Sequence, residues 1–487
     1  MNRYTGRSFV KTVDWSLIAV YLILILIGWV NIYASIHSSE PSSIFDFGFR
    51  SGKQFVWILS SLGIAGTILF IINPRAWESF SVPIYIMTVA LLTAVIFLGV
   101  EVKGSRSWFE FGSIRFQPAE ISKISTSLLL ATVMSQTGFR LRNIKNFIAA
   151  ALIILVPMVI IIAQSETGSA LVYVGFVFML YREGLSGWLL FMIGMIILLF
   201  ILTLTASSYT SLLVLTGVVT ICCAMDSGKI KKWALIMVPL ITFMAFAPSL
   251  LEKLLSIFTE NKEEFVENLN TLYLFAILAA IGIPYYIYRA YRERSMFKWI
   301  SILTFIAGVL LIFSVDFIFH DVLQDHQRKR IEVLLGMKDD PTGVGYNVNQ
   351  SMIAIGSGGL SGKGFLNGTQ TTYGFVPEQS TDFIFCTIGE EWGFLGSSFV
   401  ILLYIFLIWR IIHNAERSRE GFTRIYGYCV ACCIFMHLFI NIGMTIGIMP
   451  VIGIPLPLLS YGGSSLWAFT AMIFIFIALD RNEKRYF

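Results

Sequence analysis

Long apolar stretches separated by short polar segments dominate the chain and predict a bundle of transmembrane helices. Each stretch is roughly 15 to 25 residues long, enough to cross a hydrocarbon core of about 30 Å. Fourteen such stretches lie between Trp15 and Leu479. The pattern therefore predicts an all-α, polytopic transmembrane helical bundle, with residues 1–487 forming a single integral membrane domain.

The predicted spans begin and end near tryptophan or tyrosine in several cases, as an interfacial aromatic belt would require. No small-residue cleavage site follows the first span, so we expect a retained helix rather than a removed signal peptide. The predicted spans are Trp15–Ile36, Phe55–Ile72, Val82–Val100, Ile121–Met134, Phe147–Ala163, Ala170–Tyr181, Trp188–Thr203, Tyr209–Ala224, Trp233–Phe246, Leu272–Ile287, Trp299–Ile318, Phe383–Ile412, Ile425–Met444 and Ser464–Leu479.

The composition agrees with a membrane protein and narrows its chemistry. Hydrophobic residues make up 56% of the chain and charged residues 13%, against about 25% charged in soluble proteins. The six cysteines lie in or beside apolar runs, which favours packing over a disulfide framework. The sequence contains no nucleophile triad, no histidine cluster for a metal and no nucleotide-binding or nucleic-acid-binding motif.

The distribution of lysine and arginine predicts the orientation in the membrane. Alternate segments, beginning with the N-terminus, carry 22 of the 35 basic residues; the other segments carry 12, and Lys123 lies inside a span. Because cytoplasmic segments are enriched in positive charge, both termini are expected in the cytoplasm. The segments 101–120 and 319–382 then lie outside.

Eight of the twelve outer basic residues lie in these two outer loops. An anionic ligand at the outer leaflet is the simplest explanation of this excess, and a solvated basic loop is the alternative. The first loop contains Lys103, Arg106 and Trp108. Trp108 fits either a platform that stacks on a sugar or an interfacial anchor.

A carboxylate and a lysine follow the first loop, at the start of a predicted span. Glu120 and Lys123 are three residues apart, so they share one face of a helix, and Pro118 suits its first turn. Buried ionisable residues within a membrane are costly unless they are paired, and they are often functional. A structural pair that orients the helix is the alternative. Glu166 stands alone at the outer end of another span, where it also suits a helix cap.

The second outer loop, 319–382, is too long to be a simple connection and is the predicted catalytic loop. It contains a basic cluster that includes Arg328, the Asp339-Asp340-Pro341 sequence, and many glycines on either side of Lys363. Glycine lets a backbone approach a ligand closely. Further on, prolines and glycines between Asn441 and Ser465 predict irregular backbone at membrane depth, which is tolerated only inside protein or along a cavity.

The order of these motifs resembles the SEDS family, the shape, elongation, division and sporulation proteins, and its elongation branch more than its division branch. The resemblance covers 103–123, 164–170 and 320–487. The motifs that carry it are Asp340-Pro341, Gly343-Val-Gly345-Tyr346, Gln350-Ser351, Ile355 to Gly359, Gly362-Lys363-Gly364, Pro377-Glu378, Thr381 to Phe385, Pro455-Leu-Pro457 and Ser460 to Ser464.

The resemblance implies a peptidoglycan glycosyltransferase that polymerises lipid II at the outer face of the bacterial cytoplasmic membrane during cell elongation, beside a class B penicillin-binding protein. It implies that Asp340 is the essential aspartate and general base. No cofactor is certain, and a divalent cation, Mg²⁺ or Mn²⁺, would suit the diphosphate. The candidate substrate-binding residues are Lys103, Arg106, Trp108, Glu120, Lys123, Arg328, Gln350, Ser351, Lys363, Glu378, Thr381, Asp382 and Ser460.

Two features depart from the family pattern. The family usually has ten spans, and the excess of four lies within 188–298, a predicted insertion. The family also usually has aspartate where this chain has Glu166. Two other functions remain open at this point, a lipid II flippase and a non-catalytic scaffold for the transpeptidase, which would make Asp340 dispensable.

Overall fold

The structure is a computed structural model, and the residues that it describes are mostly helical. It describes residues 12–36, 43–102, 104–112, 114–205, 208–227, 287–294, 296–317 and 345–486, with the single residues 239, 242, 246, 284 and 319. The elements are α1 Trp15–Ile36, α2 Arg50–Phe70, α3 Pro74–Leu98, β1 Val100–Val102, β2 Ser105–Phe111, β3 Ile114–Phe116, α4 Pro118–Met134, α5 Ile144–Ala163, α6 Thr167–Val172, α7 Phe176–Arg182, α8 Gly187–Thr205, α9 Ser208–Ser227, α10 Met296–Phe317, α11 Tyr346–Ser357, α12 Thr369–Thr372, α13 Ile384–Arg417, α14 Gly421–Thr445 and α15 Gly463–Tyr486.

The helices confirm the prediction of a polytopic helical membrane protein. Within the described residues, nine helices are long and apolar enough to cross a membrane, and two shorter apolar helices accompany them. Twelve of the fourteen predicted spans coincide with helices. The other two, Trp233–Phe246 and Leu272–Ile287, lie almost wholly outside the described residues, so the predicted number of spans stays a prediction.

The chain divides into two compact units, residues 1–186 with 340–487, and residues 187–339. In the second unit, α8, α9 and α10 pack through a small apolar cluster that includes Leu199, Leu215 and Ile312. All the described candidate site residues belong to the first unit. The boundaries predicted for the insertion, 188–298, stay a prediction.

The helices of the first unit differ in how much of their surface the protein covers. In the most apolar stretch of α14, 78% of the residues are buried, and in α15 the share is 72%. The corresponding share is 22% in α3 and in α5. Because lipid covers apolar side chains as well as protein does, α3 and α5 suit a lipid-facing position, whereas α14 and α15 form the centre of this unit.

Local sequence explains where several helices begin. Asn73 and Asn143 accept hydrogen bonds from the backbone of Arg75 and Lys145, both at 3.1 Å, and so cap α3 and α5. Asp14 stands before α1 and accepts from the Ser16 backbone at 3.1 Å. Burial alone would raise the pKa of Asp14, but hydrogen bonds from Asn414, Ser16 and Arg410 outweigh burial and lower the pKa to about 2.

Three short antiparallel strands fill the first outer loop, which the all-α prediction did not foresee. The strand order is β1-β2-β3. Val100 pairs with Trp108, and Glu110 pairs with Arg115 across the second hairpin. The side chains of that second pair lie 3.3 Å apart as an exposed ion pair. The sheet packs on α3 and on α4, the helix that contains Glu120.

The glycine-rich run of the second outer loop packs against α13. The backbone N–H of Lys363 donates to the Glu390 carbonyl at 3.0 Å, and that of Phe394 donates to the Gly359 carbonyl at 2.9 Å. A Cβ at Gly358 would lie 2.0 Å from the Gly389 carbonyl oxygen. The sequence predicted that these glycines let the backbone approach a ligand closely. In the structure, the close approach is between the loop backbone and the backbone of α13.

Gly358→Ala is expected to destabilise the first unit, since the added methyl overlaps the backbone of α13 and overpacking of this kind costs about 1–3 kcal/mol. Gly356→Ala is the matched control. A Cβ at Gly356 meets nothing within 4 Å, and the change within α11 should stabilise by about 0.5–1 kcal/mol. Thermal unfolding in detergent measures both, and equal midpoints for the two variants would contradict this packing.

Candidate active site

A buried ion pair lies near the start of α4, where the sequence predicted it. Glu120 and Lys123 occupy the first two turns of α4, with Pro118 at the first helical position. The Lys123 ammonium donates to the Glu120 carboxylate at 2.8 Å, and the two side chains are 0% and 2% exposed. Two charges removed from water in this way are stable only as a pair with further hydrogen bonds.

Lys123 has a second partner, which the sequence analysis missed. Nζ of Lys123 lies 2.8 Å from Nε2 of His437 on α14, and Nδ1 of the same ring lies 3.1 Å from the Pro455 carbonyl oxygen. The ring of Phe469 lies 5.1 Å from the ammonium, close enough for a cation–π contact. Three helices and the proline-rich segment therefore meet at one lysine.

Glu166 lies beside this pair, just before α6. The Gln117 amide and the Ser169 hydroxyl both donate to its Oε1, the latter at 2.6 Å. Burial raises the pKa of Glu166, and hydrogen bonds from Ser169 and Ser107 oppose this rise only in part. Among the described residues, Oε2 of Glu166 and Oε2 of Glu120 accept no hydrogen bond. This part of the bundle thus holds two carboxyl groups with unused acceptor oxygens.

Two candidate residues of the first loop, Arg106 and Trp108, lie on β2. Arg106 is 61% exposed and forms an ion pair with Glu101 at 3.4 Å, while its backbone N–H donates to the Gln164 carbonyl at 3.2 Å. Trp108 is half-buried. Arg106 is thus a solvent-facing cation. Lys103 lies outside the described residues.

The segment 377–383 is tied to the proline-rich segment before α15. The Ser460 hydroxyl donates to the Thr381 carbonyl at 2.6 Å and accepts from the Leu456 N–H at 2.8 Å. The Asn441 amide donates to the carbonyls of Asp382 and Ile454, both at 2.7 Å. The Ser460 hydroxyl and the Asp382 carbonyl therefore help to hold two irregular segments together.

A cavity of about 480 Å³ opens beside Glu378. Arg50, at the start of α2, donates to the Ser380 hydroxyl at 2.6 Å and lies 3.8 Å from the Glu378 carboxylate. Thr381 donates to the same carboxylate at 3.2 Å. The wall is mixed, with apolar side chains such as Val376 next to these charges. Arg50 was not among the predicted residues, because it lies outside the two loops that the sequence singled out.

Two predicted residues of α11 differ in their surroundings. Ser351 is fully buried, and its hydroxyl donates to the Thr445 carbonyl at 2.6 Å and lies 2.8 Å from the Cys386 sulfur. Gln350 is half-buried. The contacts of Ser351 fasten α11 to α13 and α14, which is a packing role.

Lys363, a predicted substrate-binding residue, is bound to a buried glutamate. Its ammonium donates to Glu390 at 2.7 Å and to the Thr369 hydroxyl at 2.7 Å. Glu390 also accepts from the backbone N–H groups of Thr369, Gln370 and Thr371, at 2.8 to 2.9 Å. Glu390 thus caps the short helix α12 and fixes the end of the loop.

Glu390→Gln is expected to loosen this loop. The amide of glutamine would present N–H groups to donors that need an acceptor, so buried groups would be left unpaired. Each such loss lowers stability by about 1–3 kcal/mol or more. Glu391→Gln is the matched control, because within the described residues the buried Glu391 carboxyl accepts no hydrogen bond and has no basic partner. Limited proteolysis of the loop and the unfolding midpoint measure the effect. Equal behaviour of the two variants would contradict the role of Glu390.

Three predicted residues, Lys103, Arg328 and Asp340, lie outside the described residues, so the geometry around the expected base stays a prediction. Within the described residues, no group of three or more histidine, cysteine, aspartate or glutamate side chains is placed to hold a metal. Mg²⁺ or Mn²⁺ at the diphosphate is likewise untested.

Comparisons with known proteins agree with this fold. The chain matches the family model FTSW_RODA_SPOVE, described as cell cycle protein, over residues 14–218 and 293–485. It is 30% identical over 414 residues to the peptidoglycan glycosyltransferase MrdB of Escherichia coli K12, covering 85% of this chain and 81% of that protein. It is 31% identical over 485 residues to the peptidoglycan glycosyltransferase RodA of Treponema pallidum, covering 98% and 99%.

Solved structures share the fold. One comes from a study of polymerization and crosslinking by a peptidoglycan synthase complex, with a TM-score of 0.58 and 22% identity over 97% of this chain and 98% of that chain. The rod shape determining protein RodA of Thermus thermophilus gives 0.54 and 20% over 97% of each chain. The protein is therefore an integral membrane protein of the SEDS type. It belongs to the FTSW_RODA_SPOVE family, as its motifs predicted.

Proposed function

We propose that this protein is a peptidoglycan glycosyltransferase that polymerises lipid II into glycan strands at the outer face of the bacterial cytoplasmic membrane. The observation that carries the proposal is the family membership, with near full-length relatives named for this activity. The buried Glu120–Lys123 pair at the outer bundle end supports it, because a paired charge within a membrane protein usually serves a polar substrate.

In the proposed reaction, Asp340 acts as the general base. It removes the proton from the 4-hydroxyl of the terminal GlcNAc of the acceptor, and that oxygen forms a bond to C1 of a lipid-linked MurNAc. The bond from C1 to the diphosphate breaks, and undecaprenyl diphosphate leaves with the electron pair. Proton transfer of this kind contributes about 10²–10⁴ in rate.

The leaving diphosphate needs positive charge. Arg106 is exposed at the outer surface, and Lys123 is a buried cation. Arg328 and a divalent cation, Mg²⁺ or Mn²⁺, are further proposed sources. Lys363 is a further source; it pairs with Glu390, as Lys123 pairs with Glu120 and Arg106 with Glu101.

The proposal includes an orientation and a partner. Both termini lie in the cytoplasm, as the excess of basic residues in alternate segments favours, so that the loop 319–382 meets lipid II outside. The partner is a class B penicillin-binding protein, which would crosslink the new strands. The fold shared with a chain studied in a peptidoglycan synthase complex supports that choice.

Side-by-side assays separate this function from transport. Purified protein in liposomes is given fluorescent lipid II, and strand formation and movement between leaflets are recorded in the same sample. If the proposal is right, glycan strands form and their yield rises with the enzyme concentration. Rapid movement between leaflets without strands would favour a flippase instead.

A further inference from the structure

His437 is a buried polar group that lies outside the motifs used so far. It is 1% exposed and sits on α14, one turn of helix before Asn441. Its two ring nitrogens have different partners, the Lys123 ammonium at 2.8 Å and the Pro455 carbonyl at 3.1 Å. It therefore links the buried ion pair to the proline-rich segment.

The partners determine which nitrogen of the ring carries hydrogen. An ammonium only donates and a carbonyl only accepts. Nε2 therefore accepts from Lys123, and Nδ1 carries the hydrogen that it donates to Pro455. In this tautomer the ring is neutral. A protonated ring would place a second positive charge 2.8 Å from Lys123, which a buried site disfavours.

The same geometry restricts the ammonium. Lys123 has three N–H donors; one points to Glu120 and one to His437. Glu120 is on the same helix as Lys123 and restrains the ammonium relative to α4 alone. His437 is on another helix, so it fixes the ammonium relative to the segment that contains Pro455 and Ser460.

We infer that His437 is a positioning residue for the glycosyl transfer: as a neutral acceptor anchored on Pro455, it orients the Lys123 ammonium so that its remaining N–H serves the diphosphate of the lipid substrate. This inference rests on the proposed function and adds a residue to it. His437 itself touches no reacting atom. It acts only through Lys123, so replacing His437 has no further effect once Lys123 has been replaced.

A packing role for the ring makes a different prediction. His437 also contacts the Phe469 ring, at 4.9 Å between centroids. If filling this space were its only task, leucine would replace it well and glutamine would have no advantage. If hydrogen bonding is the task, glutamine can accept from Lys123 and donate to Pro455, whereas leucine can do neither.

The first test measures polymerisation of lipid II by purified full-length variants. His437→Leu is expected to lower kcat/KM by about 10²-fold, the size of effect that a misplaced group produces, while His437→Gln keeps most of the wild-type rate. His413→Leu is the matched control, an exposed histidine stacked on Trp409, and should equal wild type. Should His437→Leu fail to fold, His437→Asn replaces it, since its shorter amide cannot span both partners.

The second test isolates Lys123 by binding undecaprenyl diphosphate in detergent, with undecaprenyl monophosphate as the comparison. His437→Leu should weaken diphosphate binding roughly tenfold and should add nothing to Lys123→Met. The inference would be overturned if His437→Leu and Lys123→Met weakened diphosphate binding additively when combined. Equal activity of His437→Leu and His437→Gln would also overturn it. Binding without any polymerisation by wild type would instead count against the proposed function alone.

Discussion

Lys123→Met is expected to abolish polymerisation and to lower the free energy of unfolding by about 3–5 kcal/mol, because it leaves the Glu120 carboxylate buried without its cation. Thermal or denaturant unfolding in detergent and lipid II polymerisation measure the two effects separately. Arg289→Met is the comparison: that arginine forms an exposed pair with Glu293, four residues away on the same helix, and pairs of this kind contribute about 0.3–0.5 kcal/mol.

The double variant Glu120→Gln with Lys123→Met separates stability from function. Removing both charges is expected to recover much of the lost stability, since no uncompensated charge remains, but none of the activity. If the double variant were as unstable as Lys123→Met, the loss would stem from packing. If Lys123→Met polymerised lipid II normally, the pair would be structural only, the alternative that the sequence left open.

Asp340→Asn is expected to abolish polymerisation while folding is unchanged, because the amide keeps the shape of the carboxylate and cannot take a proton. The loss should be about 10²–10⁴-fold, the usual contribution of a general base. Asp339→Asn is a matched control one residue away. It removes the same charge from the same loop and should stay active.

This comparison also tests whether activity depends only on the negative charge of the loop. Equal losses in Asp339→Asn and Asp340→Asn would indicate a role in net charge or metal binding shared by both residues. Full activity of Asp340→Asn would contradict its assignment as the base and would favour a scaffold. Initial rates with saturating lipid II are the appropriate measure, since kcat reports the chemical step more directly than binding.

Helix positions could be predicted because burial in a membrane depends mainly on the local sequence of each stretch. An apolar stretch of sufficient length is buried by lipid whatever its neighbours are. The predicted first span, Trp15–Ile36, coincides with α1, and Pro118 begins α4 as expected. The Glu120–Lys123 contact was also predictable, because three residues along a helix place two side chains on one face.

Contacts between distant segments could not be predicted in this way. His437 lies 314 positions from Lys123, and an isolated histidine on an apolar helix looks like a core residue. A weak signal was present: His437 and Asn441 are four residues apart, which puts two polar side chains on one face of a span. Glu390 and Glu391 gave a similar signal, as adjacent carboxylates within an apolar stretch.

The two outer loops were the least predictable segments. The strands β1 to β3 are only 3 to 7 residues long, and a sheet this small depends on packing against α3 and α4. The glycines of the second loop were assigned to a ligand, since close approach to a ligand and to a helix require the same residue. Only the position of α13 shows which approach Gly358 makes.

The most direct test of the central claim is lipid II polymerisation by the purified full-length protein in detergent, with a class B penicillin-binding protein present and absent. Gel separation of the products resolves glycan strands from unreacted lipid II. We expect glycan strands from the wild-type protein and none from the Asp340→Asn variant with the same partner. Wild-type protein that yields no strands even with the transpeptidase would contradict the assignment as a glycosyltransferase.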